Sequence, residues 1–212
     1  MSIGVVKEKL KLDRMIGMES VQALVEGDVV VPDSKPDILN ILSVQGNVNI
    51  LDKEIIQGKI VVDGVVNFKI LYSGSNSEQP VHSMKASASF SQSIEIDGID
   101  SQMEASVEYS IEHIEFNIMN ERKISIKTIL NLTGKVFKTD EIDVLKEVEG
   151  LENMQVLKEM VKYDKKAGNN SSQTVLRETF ELAEDTPEIF EILETKGVPV
   201  ITETKVTDGK VI

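Results

Sequence analysis

From Ile60 the even positions run Ile60, Val62, Gly64, Val66, Phe68, Ile70 and Tyr72, with Asp63, Asn67 and Lys69 between them. Side chains of an extended chain point to opposite faces in turn, so this pattern describes a strand with one covered face. A helix would scatter the same residues around its circumference. Met84, Ala86, Ala88 and Phe90 repeat the pattern, with serines and Lys85 between; Ile124, Ile126, Leu130, Leu132 and Val136 do so again. Ala105, Val107, Tyr109 and Ile111 begin another alternation, which Ile114, Phe116 and Ile118 continue one residue out of phase. A β-bulge corrects such a slip by returning the apolar set to the core face. The chain is therefore expected to be mainly β.

Two internal echoes organise these strands. Residues 1–61 lie over 152–212 at a fixed offset of 151, with sixteen identities among 61 pairs against roughly four expected from ordinary composition. Pro36, Ile38, Ile41, Leu42 and Gly46 fall on Pro187, Ile189, Ile192, Leu193 and Gly197. One module used serially explains this, which predicts a β module over 1–151 and an incomplete second copy over 152–212. A weaker echo at an offset of 64 sets Ile50, Lys59, Ile60 and Asn67 on Ile114, Lys123, Ile124 and Asn131. Each segment reads as a hairpin, turning at Gln57-Gly58 and near Asn120-Glu121. Two hairpins with one apolar face each can cover one another, which predicts an antiparallel, sandwich-like arrangement.

One short helix is expected near 35–44. Ser34 can cap, Asp37 can answer three residues later, and Pro36 suits a first helical turn. Ile38, Leu39, Ile41 and Leu42 then form one stripe, ending at Gly46. The second copy keeps the pattern as Asp185-Thr186-Pro187-Glu188, followed by Ile189, Phe190, Ile192 and Leu193. These eight apolar residues are the candidate packing or interaction residues. The second set is expected to pack on the first module or on another chain, since a half-finished sheet leaves faces and edges uncovered. Exposed strand edges also make self-association possible.

The formal net charge is -13, which disfavours nucleic-acid phosphates and anionic lipid as partners. There is no cysteine, so disulfides, thiolate metal sites and cysteine nucleophiles are excluded. No apolar run approaches the ~20 residues of a membrane helix, and the N-terminus shows no signal-peptide pattern. His82 and His113 are the only histidines and lie in no HxH or HExxH spacing. Glu104, Glu108, Glu112 and Glu115 could supply paired carboxylates, but acids alternating with apolar residues are read more simply as a wet strand face. Asp97-Gly98-Ile99-Asp100 is an acidic turn without EF-hand spacing. Phosphate-binding glycine motifs and a nucleophile elbow are both missing. With no Trp and three Tyr, aromatic platforms for sugars are scarce. The reading is a non-enzymatic protein with no catalytic residue, metal or cofactor.

Val31-Pro32-Asp33-Ser34-Lys35-Pro36-Asp37-Ile38, Ile41-Leu42-Ser43-Val44-Gln45-Gly46 and Gly58-Lys59-Ile60-Val61-Val62-Asp63-Gly64 resemble the SPOCS domain of SipL-like proteins of anaerobic spore formers. Gln155-Val156-Leu157-Lys158-Glu159, Ser171-Ser172-Gln173 and Arg177-Glu178-Thr179-Phe180 extend the resemblance. It implies a structural or interaction role in spore coat or envelope assembly, in the mother-cell cytoplasm at the forespore surface. It also implies coat-morphogenesis partners of the SpoIVA type. In the family that contact is associated with a C-terminal LysM domain, and no LysM-like segment occurs in these 212 residues. The chain would then be an N-terminal portion of such a protein or a short relative. The alternative is a binding module for another envelope component, glycan among the candidates.

Overall fold

A computed structural model describes residues 4–75, 79–149, 157, 159–160, 162, 174–189, 191–207 and 209–211. Six long strands follow one another: β1 (Gly4–Val30), β2 (Ile38–Ile56), β3 (Lys59–Gly74), β4 (Val81–Glu95), β5 (Glu104–Asn120) and β6 (Lys123–Glu149). They form two antiparallel three-stranded sheets, ordered β1-β6-β5 and β2-β3-β4. The expected alternations are the central strands. In β3, Ile60, Val62, Val66, Phe68, Ile70 and Tyr72 are buried; in β6, Ile124, Ile126, Leu130, Leu132 and Val136 are.

The sheets face each other across one core. Glycines mark where their backbones come close. A Cβ on Gly134 of β6 would lie 2.7 Å from Ile60 Cδ1 of β3, and one on Gly46 of β2 would lie 3.0 Å from Ile111 and Ile114 of β5. The offset of 64 is thus the relation between hairpins β2-β3 and β5-β6, one in each sheet. The first turns through Gln57 and Gly58, both at positive φ (50° and 81°), the geometry a two-residue hairpin with right-twisted strands favours. The second turns through Glu121 and Arg122. The phase slip in β5 is a register shift between Ile111 and His113, with Glu112 as the inserted residue.

The helix expected near 35–44 is not formed. Pro32–Lys35 is a β-turn closed by the Lys35 N–H on the Pro32 carbonyl (2.9 Å), and Ile38 already opens β2. The polar groups of this segment are instead satisfied from afar. The Ile38 N–H donates to the Glu121 carbonyl (2.7 Å), the Tyr72 hydroxyl donates to the Pro36 carbonyl (3.1 Å), and Asp37 accepts from Arg122. The helical spacing has a different origin. β2 pairs with β3 through register shifts between Ile38 and Asn40 and between Ile41 and Ser43. Each bulge inserts one residue, which stretches a two-residue period to three. Ile38 and Ile41 therefore both face the core, at 5% and 8% exposure, while the inserted Leu39 and Leu42 stay out, at 70% and 52%.

The chain divides into two units, Met1–Thr174 and Val175–Ile212. The second carries a small hairpin, β7 (Val206–Thr207) with β8 (Lys210–Val211), and a β-turn closed by the Thr186 N–H on the Ala183 carbonyl (2.9 Å). That bond stands 151 residues on from the Lys35–Pro32 bond. Gly209, at φ 73°, stands 151 residues on from Gly58. The helix expected after Asp185 is not seen among the described residues.

Candidate interaction surfaces

The structure splits the first set of candidate residues. Ile38 and Ile41 belong to the core cluster, and Leu39 and Leu42 are solvent-facing. In the second set, Ile189 and Ile192 are exposed and Leu193 is half-buried; Phe190 lies outside the described residues.

Sequence reasoning missed the residue that fixes the first set in place. Arg122 sits in the β5-β6 turn and reaches across to the connection between β1 and β2. Its Nη1 donates to Asp37 (2.5 Å) and its Nη2 to the carbonyls of Val31 and Pro32 (both 3.1 Å). Its own carbonyl accepts from the Val31 N–H (2.9 Å). One planar guanidinium has enough fixed donors to hold three acceptors, so the crossover between sheets is clamped at its midpoint.

The residues with potential for chemistry are spread apart. His82 is buried with its ring 5.6 Å from that of Tyr72, and His113 is exposed on β5. Glu108 pairs with Lys135, and Glu112 accepts from Gln22 (2.7 Å). At the acidic turn, Ile99 plugs into the core and Asp100 accepts the Gln102 N–H (2.9 Å). Among the described residues no group of three or more His, Asp or Glu is placed to hold a metal ion, and no helix is long and apolar enough to cross a membrane.

What the fold offers instead is surface, of three kinds. The outward side of β1-β6-β5 carries cross-strand ion pairs, among them Lys127 with Glu26 (3.0 Å) and Lys123 with Asp28 (2.7 Å). The Glu26 hydrogen bond, then its charge, raises the Lys127 pKa above the ordinary lysine value. The outward side of β2-β3-β4 is different: β4 presents Ser83, Ser87, Ser89, Ser91 and Ser93 there, and β2 presents mostly asparagine, glutamine and serine. The alternating serines were visible in the sequence, but only the register shows that they form one column, interrupted by Lys85, beside Asp63, Asn67 and Lys69 of β3.

The third surface is an arm. β5 begins opposite Phe137, so beyond that point β1 and β6 continue as a two-stranded ribbon to the Gly4–Glu149 pair. One side is charged: Lys11 contacts Glu141 (3.0 Å), Lys9 the same carboxylate (3.8 Å), and Lys7 Asp143 (3.9 Å). The Lys11 hydrogen bond, followed by the charges of Lys11 and Lys9, holds the Glu141 carboxyl below its usual range. The other side carries Leu10, Leu12, Ile142 and Val144.

The family model of the SipL SPOCS domain matches residues 37–119. The match starts at Asp37, on the Arg122 clamp, and runs through β2, β3, β4 and nearly all of β5. Over those residues the chain is similar to that domain. No curated protein and no solved structure matches the chain.

Proposed function

We propose that this chain, whose residues 37–119 match the SipL SPOCS domain, is a non-enzymatic structural and interaction protein of spore coat or envelope assembly. That match is the observation on which the reading rests. The fold is in keeping with it: it presents three extended surfaces, with Glu26, Asp28, Glu108 and Glu141 in cross-strand ion pairs and His82 in the core. Its place would be the mother-cell cytoplasm at the forespore surface, and its partners coat-morphogenesis proteins of the SpoIVA type. Within this chain such a partner would have to dock on the β strands themselves, with Leu39 and Leu42 beside the Arg122 clamp as the first residues to test. A fluorescent fusion followed through sporulation tests the reading, together with affinity capture from sporulating cells. A shell around the forespore and recovery of coat proteins are expected. Diffuse fluorescence, with no coat protein captured, would remove it.

A further inference from the structure

Along the arm, β6 carries an open edge. β5 pairs with it only as far as Phe137, and among the described residues no strand takes that edge over residues 138–148. The N–H and C=O groups that point away from β1 there have no ladder partner among those residues, and such an edge is a template for a further strand. The same stretch is acidic, with Asp140, Glu141, Asp143 and Glu147 against Lys138 and Lys146. On its other edge it holds a basic strand: Lys7, Glu8, Lys9, Lys11, Asp13 and Arg14 of β1 all contact β6 side chains.

A second strand of this kind stands in the same chain. At the offset of 151 those six positions read Lys158, Glu159, Met160, Lys162, Asp164 and Lys165. Four are identical, one exchanges arginine for lysine, and only Met160 departs. The repeat explains the likeness; its physical consequence is a segment already patterned for β6. Leu157, Glu159, Met160 and Lys162 are exposed and belong to no strand.

We infer that residues 156–166 of one copy add as a strand to the open β6 edge of a second copy, and that the exchange is mutual. The acidic stretch 138–148 and the basic stretch 156–166 follow each other along one chain. Two copies laid antiparallel over this region therefore bring each acidic stretch against the other's basic one, in two identical contacts about a two-fold axis. Main-chain hydrogen bonds supply the affinity of such strand addition, and side chains supply its register. Carrying over the register of β1, Lys162 opposes Glu141 and Asp164 opposes Thr139. On the reverse side Val161 opposes Ile142, which is 42% exposed, and widens the apolar strip formed with Leu10. β1 keeps its own place throughout. The dimer does not depend on the coat-assembly reading.

Sedimentation velocity on the whole 212-residue chain, at physiological ionic strength and rising concentration, tests it. The parent should shift from monomer towards dimer. Val161→Pro with Lys162→Pro removes two consecutive backbone donors, one of which faces the partner strand whichever way the segment lies. Met160 and Lys162 belong to no strand of the single copy, so this variant should keep the parent's circular dichroism and stay monomeric. Charge exchange checks the register. Lys162→Glu sets like charges against Glu141 and should associate roughly fivefold more weakly. So should Lys11→Glu with Glu141→Lys, which keeps opposite charges within its own arm but repels Lys162 of the other copy. An equal mixture of the two should regain the parent's dimer, because both contacts between copies are again of opposite charge. A parent that stays monomeric to the solubility limit would overturn the inference. So would a proline variant that dimerises like the parent, or a mixture that fails to recover. A monomer whose outward-edge amides over residues 138–148 resist hydrogen exchange would also overturn it, and would assign the segment to its own β6.

Discussion

Thr128 occupies the inward side of β6 between Ile126 and Leu130, fully buried, and its hydroxyl finds no partner. A buried hydroxyl without a hydrogen bond costs about 1–3 kcal/mol. Thr128→Val keeps the shape and removes the polar group, so urea unfolding should show a gain of about 1 kcal/mol; a loss would mean that the hydroxyl is satisfied in solution. Ile41 and Leu42 make the complementary case at neighbouring positions. Ile41→Asp would put a charge in the core at 8% exposure and should abolish cooperative unfolding. Leu42→Asp, at 52% exposure, should leave a folded chain with circular dichroism like the parent's. Equal damage from both would restore the idea of a single buried stripe.

At the scale of elements, strands are legible wherever the local period decides the matter. The alternations of β3 and β6, the bulge at Glu112 and the turn at Gln57-Gly58 all depend on neighbours within a few residues. The run from Ile38 to Leu42 misleads because two close bulges give the same i, i+3 spacing as a helical stripe. What distinguishes them is the pairing with β3, more than thirty residues away. Arg122 and Asp37 are 85 positions apart, and neither carries a local signal of the other. The outward side of β2-β3-β4, with its serine column, needs the register of three strands before it exists at all. The arm is legible only in part: its alternation is weak, but its charges make it testable. Glu141 has its folded pKa lowered, so its contribution is present above the ordinary carboxylate range and lost as pH falls through the folded value. Amide protection of Lys7–Leu12 should therefore fall on acidification below that range, while protection of Ile126–Leu132 persists. Hydrogen exchange followed by NMR would check this, and equal behaviour of the two segments would show that the ion pairs do not hold the arm.

At the scale of the whole molecule, the charge of -13 adds a mutual repulsion between copies. The family match falls within the first unit. The turn and hairpin geometry of that unit reappears 151 residues later. The pairing of Gly4 with Glu149 also governs how the first unit bears a load. Two strand ends joined across an antiparallel ribbon, with hydrogen bonds perpendicular to the strands, are pulled apart like a zip. Tension applied through Gly4 and Glu149 falls on one rung at a time, never on the whole ladder at once. The arm would therefore give way gradually under small forces and close again when released, sparing the sheets behind it.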